Sequence, residues 1–391
     1  MFSMRLRREG SEFVEGTRQR AYTTRTANEA SMQPVITRAR VEIDLGALQR
    51  NGAALARRAG VPLLPMIKAD AYGLGAEAAV RALDPLEPWG YGVASVAEGE
   101  ELRGFGVKRP IVVFTPLLDA DLPRLRASKL TPTLGFAREI DAWRRGGGGS
   151  WHLAIDTGMS RAGIPWREIK TVLDAAGRMT PEGAFTHFHS SELDDPTLGE
   201  QEQRFRAAVG ALPSRPRFLH TDNSAAIARR GRSEWDLVRP GIFLYGVGSG
   251  QGARVQPEPV VSVRAPIVEI RQLEEGDTVS YDATLRVERR SRIATLAVGY
   301  ADGYPRSLSG VGSALIGNAL APIAGRVTMD MTMLDVTTIP CEVGDVATLI
   351  GRGGNTLLSV ERVADDAKMS PYELLTGLRS RADRVYVEAP A

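Results

Sequence analysis

The sequence predicts an α/β protein in two parts, an N-terminal (β/α)8 TIM barrel followed by a C-terminal β-rich domain. Three observations carry the prediction. Eight short apolar runs alternate with helix-like segments between residues 63 and 243, the number a parallel barrel requires and more than a doubly wound sheet usually uses. Beyond about Gly252 the pattern turns to strict alternation with many β-branched residues and Gly-Asp turn pairs at Gly276-Asp277 and Gly344-Asp345. The unusual polar residues of the first part, Lys68, Arg161, His187, Ser224 and Arg239, fall at or just beyond the C-terminal ends of the apolar runs, the face on which barrel enzymes carry their chemistry.

Taken in order, residues 1–34 stand apart. Through residue 40 the chain holds eight arginines against four glutamates with little apolar periodicity, so it reads as a basic extension without a core. No apolar signal-peptide segment follows the early basic residues, and Met32 precedes the first patterned stretch. Val41-Glu42-Ile43 alternates as a strand, Asp44 suits an N-cap for a helix over 45–58, and Gly60 closes it. The barrel strands are expected at 63–67, 89–95, 111–115, 130–134, 151–156, 183–187, 217–221 and 237–243. Gly146-Gly147-Gly148-Gly149-Ser150 has the composition of a linker, yet the rhythm resumes directly after it, so it reads as a loop into the fifth strand. Helices are expected near 359–367 and 371–377. The domain division that follows is 1–34 as the extension, 45–252 as the barrel, and 253–391 together with the strand segment 35–44 as the β-rich domain.

Composition excludes several function classes. With 391 residues, 43% apolar and 25% charged, the chain is long enough for two ordinary soluble domains. A net charge of +2 is too small to imply nucleic acid. The single cysteine, Cys341, excludes an intrachain disulfide and fits a reducing cytoplasm. No apolar run approaches the ~18 residues of a membrane span, so a cytoplasmic location is expected.

The chemistry starts at Lys68, where the first apolar run ends and Tyr72, Gly73 and Gly75 lead into a helical segment at 76–83. A lysine at such a junction faces an apolar cup, where desolvation lowers its pKa and suits an amine that forms a Schiff base or carries a proton. Read alone, the stretch fits equally a lysine snorkelling to solvent. Asn223-Ser224 and Arg239-Pro240-Gly241-Ile242 occupy the loops after the seventh and eighth strands, where barrels commonly hold phosphate, although Gly241 by itself also reads as a plain turn glycine. His187-Phe188-His189 puts two imidazoles on one strand face, with Glu192 and Asp194 close behind. That pattern leaves a metal-dependent hydrolase open, but such enzymes carry the pair on the first strand, where this chain has Lys68.

Lys68-Ala69-Asp70-Ala71-Tyr72-Gly73-Leu74-Gly75 resembles the cofactor-lysine motif of bacterial alanine racemases, and further motifs follow in the same order across residues 40–385. They are Asp156-Thr157-Gly158-Met159-Ser160-Arg161-Ala162-Gly163, Thr186-His187-Phe188, the segment from His220 to Ala226, the segment from Arg239 to Gly246, Val279-Ser280-Tyr281-Asp282-Ala283-Thr284 and Gly299-Tyr300-Ala301-Asp302-Gly303. The resemblance implies that Lys68 holds pyridoxal 5'-phosphate as a Schiff base. It implies that Tyr72, Tyr372, the Ser224 hydroxyl and the amides of Gly241 and Ile242 bind the phosphate. Arg239, oriented by His220, would meet the pyridine nitrogen. Because a guanidinium is only a donor, that nitrogen would stay unprotonated and the cofactor would act as a weakened electron sink, which disfavours transamination.

On the substrate side, the resemblance assigns Arg161 to the carboxylate, Tyr281 to the second base, His187 to its support, Tyr300 to a gate, and Met329 and Asp330 to the border of the site. Many members hold the arginine with a carbamylated lysine two residues before the aspartate, where this chain has Ala154. Asp282 replaces the glycine usual after the catalytic tyrosine, and aspartate tolerates a left-handed backbone. The implied function is interconversion of L- and D-alanine, supplying D-alanine for peptidoglycan, by two bases on opposite faces of the substrate. Lys68 would serve the D side and Tyr281 of the partner subunit the L side, in a head-to-tail homodimer with shared sites and no metal. A serine or broad-specificity racemase on the same fold is the nearest alternative.

Overall fold

The computed structural model describes residues 36–387 except 178 and 251, so the basic extension read at 1–34 lies outside the described residues. Six parallel strands run in ladder order from Tyr91–Val93 through Ile111–Val113, Thr131–Leu134, His152–Asp156 and Gly183–Phe185 to Phe218–His220. The ring is completed by the segments at 63–67 and 237–240. These join their neighbours only through isolated bridges, Leu63 with Val238, Met66 with Gly92 and Asn223 with Arg239. Single hydrogen bonds reinforce them, among them Leu64 N to Val238 O at 2.8 Å and Ile67 N to Gly92 O at 2.8 Å. The reason is local: Pro62, Pro65 and Pro240 have no N–H to give, so neither segment can sustain a regular ladder. The eight-stranded barrel expected from the apolar rhythm is therefore present, with its first and eighth strands reduced to the bridges that proline permits.

The connection before the barrel is capped as its residues dictate. In the helix Leu45–Ala59, Asp44 accepts the Ala47 amide at 2.7 Å, and Gly60, at φ 66°, ends it with its own N–H on Ala56 O.

The C-terminal half wraps a nine-stranded sheet around one long strand, Val261–Leu273. That strand pairs antiparallel with Arg40–Asp44, which pairs parallel with Asp383–Val387. The first and last described strands thus lie side by side in this sheet, and the chain leaves it to build the barrel and then returns. A single apolar cluster runs through both halves, from Leu48 and Leu83 to Leu315 and Leu349.

One segment departs from the strand-to-helix junction expected after Lys68. Ala69, Asp70, Ala71 and Tyr72 adopt left-handed helical angles, with φ of 54, 53, 53 and 57°. None is glycine, and each costs about 1–2 kcal/mol in that conformation. The surroundings over-determine it. Asp70 accepts the Ala76 amide at 2.8 Å and pairs with Arg384 of the last strand at 2.5 Å. The Tyr72 ring packs on Tyr245 with centroids 4.6 Å apart. Gly73, at φ 87°, lies so close to the helix Pro371–Gly377 that an added Cβ would sit 2.5 Å from Leu375 O. The turn that carries Lys68 is held by both halves of the chain.

Candidate active site

A cavity of about 830 Å³ opens at the C-terminal ends of the barrel strands, within the size range of small-molecule sites. Lys68 projects into it from the head of the left-handed turn. Burial, then the charge of Arg161, pushes its ammonium pKa below the ordinary lysine value, and Arg239 adds to the effect while Glu98 opposes it. Glu98 is a residue that sequence reading passed over. Its carboxylate accepts the Ala69 amide at 2.8 Å through Oε1 and the Ala94 and Ser95 amides at 2.7 and 3.1 Å through Oε2. It thereby ties the residue after Lys68 to the end of the second strand. The signal was present as the capping box Ser95-Val96-Ala97-Glu98 at the start of the helix Val96–Gly104.

One end of the cavity is lined by a serine hydroxyl and backbone amides. The Ser224 hydroxyl accepts from Gly241 N at 2.8 Å and from Phe243 N at 3.4 Å. Ile242 and Tyr372 line the same end, and the Tyr372 ring lies 6.0 Å from that of Tyr72. A Cβ on Gly241 would come within 2.4 Å of the Tyr72 hydroxyl, so here the glycine is required and the plain-turn reading does not suffice. Burial raises the Tyr72 phenol above its ordinary pKa and keeps it a neutral donor.

Arg239 lies at the centre, fully enclosed and touching no carboxylate among the described residues. Its Nη1 donates to His220 O at 2.5 Å and meets His220 Nδ1 at 2.9 Å, while Nη2 donates to Thr186 O at 2.8 Å and Thr221 O at 3.1 Å. Among the described residues Nε has no protein acceptor, and Arg239 lines the cavity. His187 Nδ1 lies 3.5 Å from Nη2, and burial followed by the charge of Arg239 pushes this imidazole down to about 3, so it is neutral.

His189 does not join His187. The strand Gly183–Phe185 ends before either of them, His189 is exposed, and its Nδ1 meets Ser190 Oγ at 2.6 Å. Two imidazoles on one strand face was the expectation; with the strand finished, the backbone is free to send them apart. Among the described residues no group of three or more metal-ligating side chains occurs.

Arg161 lines the cavity but is exposed, with no hydrogen bond or ion pair among the described residues, and Ala154 lines the same cavity. Asp156 shapes this loop by accepting the Gly158 and Ser160 amides at 2.9 and 3.1 Å.

Tyr281, Tyr300, Met329 and Asp330 do not line this cavity. They share a different surface on the C-terminal half, where Tyr281 is 69% exposed and Met329 52%. Tyr300 N donates to Thr328 O and Ala301 N to Met329 O, each at 3.0 Å, and Ser280 Oγ donates to Arg326 O at 2.9 Å. Arg381 braces the group by binding the buried Asp302 at 2.7 Å and Asp330 at 2.6 Å. Asp282 has φ 60° and pairs with Arg326 at 2.9 Å, which is how it occupies a position that favours glycine.

The sequence profile described as alanine racemase, N-terminal domain, matches residues 43–249, and that described as alanine racemase, C-terminal domain, matches 260–386. The chain belongs to the alanine racemase family. Alanine racemase of Geobacter sp. strain M21 is 36% identical over 375 residues, covering 89% of this chain and 98% of that one. Alanine racemase of Deinococcus radiodurans is 37% identical over 356 residues, covering 90% and 99%. Among solved structures, alanine racemase from E. faecalis superposes with a TM-score of 0.84 at 29% identity, covering 90% of this chain and 98% of that one. Alanine racemase from Bartonella henselae, with covalently bound pyridoxal phosphate, superposes at 0.82 and 28% identity, covering 90% and 99%. Membership makes the chain an enzyme of the racemase class and sets aside the metal-dependent hydrolase.

Proposed function

We propose that this chain interconverts L- and D-alanine with pyridoxal 5'-phosphate held in the barrel cavity, using Lys68 and, from a second copy, Tyr281 of the partner subunit as the two bases. The observation that carries the reading is the donor set around the cavity: an amine of lowered pKa, a buried guanidinium with no carboxylate in contact among the described residues, and a serine-amide cradle that only glycine fits. These groups match an aldehyde, a ring nitrogen and a phosphate in turn.

Lys68 would hold the cofactor, with Tyr72, Tyr372, Ser224 and the amides of Gly241 and Ile242 on the phosphate. When bound, the cofactor supplies the electron sink that makes the substrate Cα–H acidic. Arg239 turns only donors toward the cavity, so it favours an unprotonated ring nitrogen and a sink of limited strength. Arg161, exposed at the cavity wall, is free to meet the substrate carboxylate. Lys68 takes and returns the proton on the D side, helped by a pKa already below the ordinary lysine value. On the L side Tyr281 requires activation, because an ordinary phenol with pKa near ~10 is a poor base at neutral pH. His187, neutral and facing Arg239, is the group assigned to orient it.

Tyr281 and Tyr300 lie outside the cavity of their own chain and on an exposed face. That separation supports a head-to-tail homodimer in which each β-rich domain completes the partner's site. In this reading residues 45–252 form the cofactor-binding unit and 253–391, with the strand segment 35–44, the unit that supplies the second base. The product would serve as D-alanine for peptidoglycan, made in the cytoplasm.

The test is a racemase assay of the purified protein with added pyridoxal phosphate against a panel of L-amino acids, with borohydride reduction and peptide mapping. Alanine should turn over fastest, and reduction should fix the cofactor on Lys68. Faster turnover of serine would make it a serine or broad-specificity racemase; no racemisation, or a label elsewhere, would refute the reading.

A further inference from the structure

Behind Arg239 the barrel interior carries a file of side chains whose protons can be assigned by elimination. His152, at the start of the fifth strand, and His220, at the end of the seventh, are both fully buried. Their rings meet with His152 Nδ1 2.8 Å from His220 Nε2. On its other side His220 presents Nδ1 to Arg239 Nη1 at 2.9 Å. A guanidinium has only donors, so His220 Nδ1 accepts. A neutral imidazole carries its one proton on the opposite nitrogen, so His220 donates from Nε2 to His152 Nδ1, and His152 carries its own proton on Nε2. His152 Nε2 is buried and meets no protein partner among the described residues, so it is unmet in either tautomer and no protein donor there dictates the opposite order. Burial, and then the charge of Arg239, pushes both imidazoles below the ordinary histidine value, His152 to about 3, so neither carries a second proton near neutrality.

We infer that His152 is a positioning residue: by accepting from His220 it fixes the His220 tautomer that receives Arg239, and thereby fixes the direction of the remaining Arg239 N–H toward the cavity. Its consequence for catalysis rests on the reading of Arg239 as the partner of the cofactor's ring nitrogen; the tautomers do not. The packing leaves His220 no alternative seat. Its ring stacks on Phe185, with centroids 5.2 Å apart and planes inclined by 11°, and Phe114 abuts it edge-on. Gly183 makes room for the pair, since a Cβ there would come within 2.5 Å of His152 Nδ1. Without an acceptor at residue 152, His220 must either bury an unmet Nε2–H or move its proton to Nδ1 and oppose the Arg239 donor. The first leaves a buried donor whose cost the second relieves, and the second repels the Arg239 donor and loosens it, while every group that would touch cofactor or substrate remains in place.

The experiment uses cofactor-free protein labelled with 15N-histidine. Only four histidines are present, so two-bond 1H–15N correlations can be assigned by substitution. Wild type should show His152 and His220 both protonated on Nε2 alone, with a slowly exchanging His220 proton. His152→Leu should lose that pattern at His220 and, when loaded with pyridoxal phosphate, lower kcat roughly tenfold with little change in KM for alanine, the order of effect of one unmet buried hydrogen bond. His152→Asn, whose Oδ1 stands where Nδ1 stood, should restore both. A wild-type His220 protonated on Nδ1 would overturn the inference, as would a His152→Leu protein with unchanged tautomer and kcat, or equal losses in the Leu and Asn variants. Should His152→Leu fail to fold, the wild-type spectrum and the Asn variant still decide it. Because the spectra are recorded without cofactor, their outcome is independent of whether the chain racemises alanine.

Discussion

Replacing Glu98 by glutamine probes how the fold holds Lys68 in place. The carboxylate serves three amides at once, Ala69 through Oε1 and Ala94 and Ser95 through Oε2. Glutamine keeps one oxygen. If that oxygen stays on the two amides of the capping box, the NH2 group turns toward the Ala69 amide, donor against donor. Losing a charge-assisted hydrogen bond and stranding an amide costs up to ~3 kcal/mol when buried; Glu98 is half-buried, so about 1–2 kcal/mol is expected, or roughly 5–30-fold in the population of the native Lys68 turn. Glu98 also raises the Lys68 pKa, so its neutralisation should lower that pKa further. Titration of the cofactor absorbance should give a dissociation constant weaker by that factor, and with D-alanine, for which Lys68 is the base, the acidic limb of the rate profile should move to lower pH. A Glu98→Gln protein with cofactor affinity and pH profile within about twofold of wild type would refute the claim that this carboxylate positions Lys68.

Gly73→Ala combines a left-handed backbone with a Cβ only 2.5 Å from Leu375 O, so a loss of about 2 kcal/mol or more and a melting point lower by about 4 °C or more are expected in thermal unfolding. A change under about 1 °C would mean that the two halves are not clamped here. In cofactor-free protein the lowered Lys68 pKa means that the unfolded chain binds the proton more readily than the fold does, so stability attributable to Lys68 rises with pH up to its ordinary value of 10.5. Chemical denaturation should find Lys68→Met more stable than wild type near neutrality, with the advantage shrinking as pH approaches 10.5; a constant difference would contradict it. Among the described residues Arg161 has no hydrogen-bond or ion-pair partner and Ala154 cannot supply one, so Ala154→Lys with bicarbonate, which allows carbamylation, should lower KM for alanine. Kinetics identical to wild type with and without bicarbonate would show that Arg161 is positioned some other way.

The barrel was legible because a parallel strand buried on both faces must read as a continuous apolar run, and eight such runs stand out against their helices. Proline explains why the first and last of them are bridges only, and Pro62, Pro65 and Pro240 were there to be read. The left-handed turn was not legible: Ala69, Asp70, Ala71 and Tyr72 contain no glycine, and beside the local Asp70–Ala76 bond it is contacts remote in sequence, with Glu98, Tyr245 and Arg384, that hold them there. His152 was passed over for a similar reason, since one histidine inside an apolar strand reads as core until its partner is seen. The residues around Lys68 and Arg239 do converge on one cavity, whereas Tyr281, Tyr300, Met329 and Asp330 lie elsewhere on the chain's surface. A motif identifies such residues one by one, but only the folded chain tells which of them share a wall.

The central claim, a site whose two bases come from two copies of the chain, is tested most directly by mixing inactive variants. Lys68→Ala and Tyr281→Phe are each expected to be nearly inactive. After subunit exchange, half of the dimers should be mixed, and each mixed dimer holds one site with both native bases, so activity should recover to about a quarter of wild type per site. If exchange is verified by mass-tagged subunits and activity stays at the sum of the two parents, Lys68 and Tyr281 do not work in one shared site.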